Sequence, residues 1–193
     1  MTTHTLRTLA TFEGGVTTAL GFRAAGLHIG IKAAGRGPDL ALIVSDRTAT
    51  AAAVFTTNRA QAAPVVVSRE HLVSSGGVAR AVIVNSGCAN ACTGAVGLQD
   101  AREMATLTGA LVGCPTDQVL VASTGVIGVN LKMDRIREGV PKAAAALGAD
   151  QGSAAAQAIM TTDPMDTAAR SSSKATPARP ATATRRPQFG SPP

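Results

Sequence analysis

The chain has 193 residues, of which 45% are hydrophobic and 2% aromatic, so it can enclose the core of one domain built mainly from aliphatic side chains. Its net charge of +6 would favour a nucleic-acid partner if it were spread evenly. Residues 164–193 hold five basic residues and one acidic residue, however, so the rest of the chain is nearly neutral and offers no general nucleic-acid surface.

The cysteines and the apolar runs indicate the compartment. The three cysteines, Cys88, Cys92 and Cys114, are an odd number without the spacing of a disulfide framework, which is typical of a reducing compartment. The Cys88–Cys92 spacing lacks a second pair of ligands for zinc, so no metal site is predicted. Residues 1–15 lack the apolar stretch of a signal peptide, and no run is long enough to cross a membrane. We therefore expect a cytoplasmic protein.

The first part of the chain predicts closely spaced strands. Residues 27–32 alternate between apolar and polar side chains, which indicates a half-buried strand with His28 as a solvated or structural residue, not a catalytic one, on its polar face. Residues 40–44 and 51–56 predict two short strands, and their spacing favours a hairpin. A further strand is expected to begin at Pro64.

Helices are expected mostly in the second part of the chain. Ser68 is predicted to cap a short helix over residues 69–73. Helical spacing predicts further helices over residues 98–112, after a capping Asp134, and over 154–160. Pro141 is expected to kink the helix that Asp134 begins. Together with the strands, these elements predict a layered mixed α/β domain, without the glycine motifs of nucleotide-binding folds.

Two loops follow strong strands and carry the polar groups of a candidate site. The strand over residues 79–84 runs into the loop 85–94, which is dense in asparagine, hydroxyl and glycine residues. This loop either binds a small polar ligand or is a turn stabilised by asparagine side chains. The strand over 118–122 runs into Ser123-Thr124-Gly125, which either supplies hydroxyl and backbone N–H donors to an oxyanion or is an ordinary turn.

The composition changes after residue 163. Residues 164–193 contain six of the ten prolines and no apolar periodicity, so they cannot build a core. We therefore predict a folded domain over residues 1–163 and a disordered tail rich in alanine, proline, arginine and serine over 164–193.

Five segments, in order between about residues 14 and 163, resemble one family, the ornithine acetyltransferases or ArgJ family, which are bifunctional glutamate N-acetyltransferases of arginine biosynthesis. The matching segments are GFRAAG at 21–26, FTTNR at 55–59 with APV at 63–65, VNSG at 84–87 with ANACTG at 89–94, ASTGVIG at 122–128, and AIMTTD at 158–163.

The resemblance implies a mechanism and a set of partners. Members of this family are precursors that cut themselves before a threonine, which then acts as an N-terminal nucleophile. That threonine carries an acetyl group from N2-acetylornithine to glutamate, both small molecules, and some members also accept acetyl-CoA. The resemblance implies no metal or other cofactor, no nucleic acid and no membrane, but a β subunit cut from the same precursor, in an assembly of two α and two β chains.

The resemblance also assigns residues and a fold. Thr124 and Gly125 correspond to the oxyanion-hole donors of the family, which agrees with the reading of the triplet from chemistry alone. One threonine of the Met-Thr-Thr-Asp motif contacts the substrate in this family, and Thr162 is favoured over Thr161 for that role. The implied fold is the layered α/β domain of the ornithine acetyltransferase (DmpA/ArgJ-like) type, here only its N-terminal half.

The chain departs from the family pattern beyond residue 163. The Gly-Gly-Met-Ala-Lys-Gly segment and the His-Pro-Asn-Met-Ala-Thr-like run that carries the nucleophile are absent. Thr176 precedes a proline in a segment with no core-forming pattern, so it is a poor substitute. We therefore expect a truncated α chain with an out-of-frame tail that lacks the nucleophile. The alternatives are a non-catalytic domain that binds a small ligand and a nucleic-acid-associated protein that acts through its basic tail.

Overall fold

The structure is a computed structural model, and it describes residues 14–162. Within this range it contains four strands, four α-helices and one 3₁₀ turn. The strands are β1 (Phe22–Leu27), β2 (Leu40–Thr50), β3 (Val78–Cys88) and β4 (Val119–Val126). The helices are α1 (Ala63–Ser74), α2 (Gly94–Val112), α3 (Met133–Ala145) and α4 (Gly152–Ile159), and the 3₁₀ turn is Thr116–Gln118.

The four strands form one mixed sheet in the order β1-β2-β3-β4. The pairs β1–β2 and β2–β3 are antiparallel, whereas β3 and β4 are parallel and are connected through α2. In the parallel pair Ser86 lies opposite Thr124 and Gly87 opposite Gly125, and the register shifts at Cys88. The carboxyl ends of β3 and β4 therefore lie side by side, which is where parallel sheets usually place a binding site.

Helices pack on both faces of the sheet and confirm the predicted layered α/β class. One face carries the larger core, in which strand residues meet α1, α2 and α3; its fully buried side chains include Leu40, Leu42, Ile83, Val119, Val67, Met104, Ile136 and Val140. The other face meets α4 through alanines, Ala24 and Ala41 against Ala155 and Ala158. Small side chains allow a close approach there, and a Cβ on Gly26 would overlap the carbonyl group of Ala154.

The predicted strand over residues 27–32 is wrong, because β1 ends at Leu27. The next residues turn around the buried carboxylate of Asp39, which accepts hydrogen bonds from the backbone N–H groups of Ile29 and Lys32. Gly30 has a φ of 91°, in the left-handed region that glycine adopts in turns. Apolar and polar side chains do alternate over residues 27–32, but the backbone N–H groups bind the side chain of Asp39 instead of a neighbouring strand.

Two further strand predictions are wrong. Residues 51–56 form no strand, and β2 pairs instead with β3. The apolar run after Pro64 is the first turn of α1, where a proline is tolerated because the N–H groups of a first turn have no partner inside the helix. Ser68 does not cap a helix but lies inside α1, buried. Its hydroxyl accepts the backbone N–H of Val121 and donates to the backbone carbonyl of the same residue, both at distances of 2.7–2.8 Å.

The three later helices are confirmed, with shifted starting points. Helix α2 begins four residues before the predicted start. Asp134 lies in the first turn of α3, not at its cap, which is Lys132, and the helix continues through Pro141 to Ala145. No helix within residues 14–162 is both long and apolar enough to span a membrane. The predicted tail over 164–193, the residue Asp163 and residues 1–13 lie outside the part of the chain that the structure describes.

Candidate functional site

A cavity of about 580 Å³ opens where β3 and β4 end. Its lining comes from the loop after β1, from the ends of β3 and β4, and from the residues that follow α4: Ile31, Lys32, Ala33, Arg36, Gly87, Thr124, Gly125, Val126, Thr161 and Thr162. The three residues assigned from the sequence, Thr124, Gly125 and Thr162, therefore lie around one cavity, although Thr162 is distant from the other two in sequence.

Close contact between two strand ends fixes the conformation of Gly125. Its φ is 129°, and a Cβ at this position would overlap the carbonyl carbon of Gly87 on the neighbouring strand. Gly87 also has a positive φ, of 105°, and a Cβ there would press on the side chains of Ile31 and Lys32. Glycines at both positions let the two strand ends meet backbone to backbone and let the side chains of Ile31 and Lys32 pack against Gly87, and both glycines line the cavity.

The two hydroxyl residues of the Ser-Thr-Gly triplet have different surroundings: Ser123 bonds to a neighbouring strand, and Thr124 lines the cavity. Ser123 donates a 2.6 Å hydrogen bond to the Oδ1 atom of Asn85, which is fully buried. The amide of Asn85 in turn donates to the carbonyl of Cys88 at 2.8 Å. Ser123 and Asn85 thus tie β4 to the bulged end of β3, and Thr124, not Ser123, lines the cavity.

The predicted loop over residues 85–94 begins inside β3, which continues to Cys88, and the part after Cys88 is a turn stabilised by its own side chains, as one of the two alternatives predicted. Buried Asn90 donates from its amide to the carbonyl of Gly97 and accepts the hydroxyl of Thr93. Its φ of 46° is one that asparagine tolerates better than most residues. Of this loop, only Gly87 lines the cavity.

The opposite wall of the cavity is held by Asp39, whose side chain is fully buried. Its carboxylate accepts backbone N–H groups from Ile29 at 2.6 Å, Gly30 at 3.2 Å and Lys32 at 2.9 Å. The Nδ1 atom of His28 lies 3.2 Å from the same carboxylate and 3.0 Å from the carbonyl of Gly37, so His28 has the structural role expected for it. A buried carboxylate surrounded by N–H donors fixes the loop that presents Lys32 and Arg36.

Lys32 connects this loop to the end of α4. Its ammonium group donates to the carbonyl of Pro38 at 2.8 Å and to that of Met160 at 2.6 Å. Burial lowers the pKa of Lys32, and the nearby negative charge of Asp39 opposes that shift. Met160 directly precedes Thr161 and Thr162, so the lysine contacts the backbone that carries both hydroxyl groups.

The described lining therefore combines two cationic side chains, Lys32 and Arg36, with three hydroxyl groups, and it includes no acidic side chain. Such a lining suits a carboxylate or a developing oxyanion. The sequence analysis missed Lys32, Arg36 and Gly87. The signal available for them was Asp39, an acidic residue placed directly before the apolar run that begins at Leu40 and preceded by a loop with three glycines.

The thiols and carboxylates do not assemble a metal site in the described range. Among residues 14–162, no three histidine, cysteine, aspartate or glutamate side chains lie close enough to hold an ion. Buried Cys88 contacts the carbonyl of Val129 through its sulfur, and Cys92 is exposed.

Comparison with known sequences gives consistent relatives. A sequence model of the ArgJ family matches residues 23–183, which extends beyond residue 163, where the composition changes. The chain is 58% identical over 143 residues to the arginine biosynthesis bifunctional protein ArgJ of Nitratidesulfovibrio vulgaris, which covers 74% of this chain and 36% of that protein. It is 54% identical over 151 residues to the ArgJ protein of a Synechococcus strain, which covers 78% of this chain and 36% of that protein. The chain thus spans little more than a third of these relatives.

Solved structures agree in fold. The crystal structure of the ArgJ protein of Bacillus halodurans matches with a TM-score of 0.72 and 42% identity over 79% of this chain and 78% of that one. The ornithine acetyltransferase of Mycobacterium tuberculosis, crystallised in complex with ornithine, matches with a TM-score of 0.74 and 43% identity over 78% of this chain and 81% of that one. Because the matched part is about four-fifths of either chain, these solved chains are similar in length to this one. The sequence match, the fold and the motifs agree, and this chain belongs to the ArgJ family.

Proposed function

We propose that the cavity is part of the acetyl-transfer site of a glutamate N-acetyltransferase of arginine biosynthesis. In this reaction the acetyl group of N2-acetylornithine passes to a threonine and then to glutamate. The observation that carries the proposal is that Thr124, Gly125 and Thr162 line one cavity. Membership of the ArgJ family supports it independently.

Thr124 and Gly125 are proposed as oxyanion donors. When a threonine hydroxyl attacks the acetyl carbonyl carbon, the carbonyl oxygen becomes negatively charged. The intermediate then collapses to an acyl-enzyme, and the ornithine amine leaves with a proton. The amine of glutamate attacks the resulting ester through a second intermediate of the same kind, whose collapse breaks the ester bond, releases N-acetylglutamate and returns the amine proton to the threonine oxygen. A hydroxyl and a backbone N–H held at fixed positions stabilise both intermediates, each donor by about 3–4 kcal/mol.

The remaining polar groups of the cavity fit the substrates. Both N2-acetylornithine and glutamate carry carboxylates, and the cationic side chains of Lys32 and Arg36 give the cavity a complementary positive potential. Thr162 is proposed to contact the substrate through its hydroxyl group. Acetyl-CoA is a further donor to test, because some members of the family accept it.

We infer that the nucleophilic threonine belongs to a second chain, cut from the same kind of precursor and assembled with this one as two α and two β chains. Two observations support this inference. The matched region covers 36% of the curated relatives. It covers 78–81% of the solved chains of the same family. Cutting of the relatives' precursors into two pieces accounts for this difference.

The experiment joins residues 1–162 of this chain to the remaining part of the N. vulgaris relative. We expect this chimera to transfer acetyl groups from N2-acetylornithine to glutamate. A Thr124→Val variant should lower kcat by about 100-fold or more with little change in KM, because it removes one oxyanion donor. Thr106→Val is the matched control, since its hydroxyl bonds only to Arg102 on the exposed surface of α2.

Two results would contradict the proposal. Full activity of the Thr124→Val chimera would show that Thr124 is not an oxyanion donor. A folded chimera that binds N2-acetylornithine without any turnover would favour the non-catalytic ligand-binding domain instead.

A further inference from the structure

One side chain connects the two segments that close the cavity. The loop between β1 and β2 presents Lys32 on one side, and the residues after α4 present Thr161 and Thr162 on the other. The hydrogen bond of 2.6 Å from the Lys32 ammonium to the Met160 carbonyl joins these segments across most of the described chain.

The backbone at Met160 explains why a donor is needed there. Helix α4 ends at Ile159, and Met160 is extended, with a ψ of 147°. The last carbonyl groups of a helix lack partners within it and require donors from elsewhere. Ser86 donates to the carbonyl of Ala158 at 2.5 Å, and Lys32 donates to that of Met160. A cation at the carboxyl end of a helix also interacts favourably with the helix dipole.

Lys32 is itself fixed on three sides. Its backbone N–H donates to Asp39, its ammonium also donates to Pro38, and the Cγ atom of its stem lies where a Cβ on Gly87 would come within 3.0 Å. The side chain is therefore held against the end of β3, directly beside Gly125. A change in its length or its donors must alter the distance between the Thr124–Gly125 wall and the Thr161–Thr162 wall.

We propose that Lys32 is a positioning residue, which holds Met160 and thereby sets Thr162 opposite Thr124 and Gly125 for substrate binding. The inference rests on the proposed function, because the substrate that Thr162 contacts is the N2-acetylornithine proposed above. The ammonium group acts on the substrate through the backbone of Met160, and no role as a proton donor or acceptor is assigned to it.

The test uses the full chain and three variants. Lys32→Met keeps the length of the stem and removes the donors, and Lys32→Arg restores donors. Lys132→Met is the matched control, because the ammonium of Lys132 also donates to carbonyl groups of the β1–β2 loop, those of Gly30 and Ile31, but does not line the cavity. Amide hydrogen exchange is measured over residues 155–162, and binding of N2-acetylornithine is measured by calorimetry.

We expect Lys32→Met to speed exchange over 155–162 by roughly tenfold or more, since a charge-assisted hydrogen bond is lost there, while exchange in β3 stays unchanged. Affinity for N2-acetylornithine should fall by roughly tenfold and should recover at least in part in Lys32→Arg. Lys132→Met should leave both readouts near the wild-type values.

Each contrary result has its own meaning. Unchanged exchange over 155–162 in Lys32→Met overturns the link between Lys32 and Met160. Faster exchange with unchanged affinity shows that Lys32 only caps α4, which overturns its positioning role. A wild-type chain that binds no N2-acetylornithine overturns the positioning role of Lys32 in this chain, whereas the exchange experiment still decides whether Lys32 holds Met160 and the activity of the chimera decides the substrate assignment separately.

Discussion

Gly87 and Gly125 face each other across the parallel strands β3 and β4, with no space for a Cβ between them. This contact brings the oxyanion candidates to the wall formed by the β1–β2 loop. The glycines are therefore needed for two reasons, the positive φ of each and the closeness of the backbones.

Gly125→Ala should destabilise the fold by about 2–4 kcal/mol, because it combines backbone strain with overlap against Gly87. Urea unfolding followed by circular dichroism measures this change. Gly113→Ala is the control, since Gly113 also has a positive φ, of 74°, but has open space around its Cβ position. It should cost only about 1 kcal/mol. Equal losses in the two variants would contradict the close contact.

Asp39→Asn should destabilise the chain by about 2–4 kcal/mol, although the side chains have the same shape. The carboxylate accepts three backbone N–H groups in a buried site, and an amide offers a single acceptor oxygen and a donor that opposes them. Asp46→Asn is the matched control, because Asp46 forms an exposed pair with Arg23 and its loss should cost less than about 1 kcal/mol. Thermal unfolding of both variants is measured at neutral pH. Equal decreases in Tm would contradict the role of Asp39 as a buried acceptor of backbone N–H groups.

The lowered pKa of Lys32 predicts a pH dependence of stability. The folded chain holds the Lys32 proton less tightly than the unfolded chain, whose lysine keeps the ordinary value of 10.5. Between the lowered pKa and 10.5 the unfolded state therefore binds more protons, and the contribution of this group to stability rises with pH.

The measurement compares urea unfolding of the wild type and of Lys32→Met as the pH is raised towards 10.5. Across this window the free energy of unfolding of the wild type should rise relative to that of Lys32→Met. Lys142→Met, which removes an exposed lysine of α3, is the control and should show no such trend. A constant difference between wild type and Lys32→Met would contradict the burial of the ammonium group.

The ion pair between Glu103 and Arg137 should stabilise the fold less at acidic pH. Two hydrogen bonds between them join α2 to α3, and the bond from Arg137 lowers the pKa of Glu103. Their stabilising contribution is present above the ordinary value of 4.5 and is lost as the pH falls through the lowered pKa.

Glu103→Gln should thus lower the urea midpoint at neutral pH, and the difference from the wild type should vanish on acidification. Glu70→Gln is the control, since Glu70 makes one exposed contact with Arg102. A difference that persists after acidification would mean that the charge of Glu103 is not what matters.

The sequence allowed the strand-end part of the site to be predicted. Two apolar strands that both end in small polar residues place those residues together only if the strands are parallel neighbours, as β3 and β4 are. Thr124 and Gly125 were found because an apolar run ends in a Ser-Thr-Gly triplet and because the family resemblance assigns them as donors, and the family motifs also supplied Thr162. The family and the layered fold are confirmed by the comparisons, whereas the catalytic roles of these residues stay predictions.

The wall that contains Lys32 was not predicted, because its structure depends on a contact that local patterns do not reveal. Residues 27–32 alternate like a strand, but Asp39, several residues later, binds the peptide groups that a neighbouring strand would need. The valine-rich run after Pro64 failed for a related reason. It fits a strand as well as a helix, and the packing of Val67 and Ser68 against the sheet decided for the helix.

The bond pair between Ser68 and Val121 has a consequence for association. Strand β4 is the last strand of the described sheet, and such an outer strand exposes peptide groups to which another chain can add. Ser68 occupies both peptide groups of Val121, and His71 contacts the carbonyl of Val119 through its Nδ1 atom at 2.8 Å. Two side chains of α1 thus take the place of a fifth strand and protect this border of the sheet from edge-to-edge aggregation.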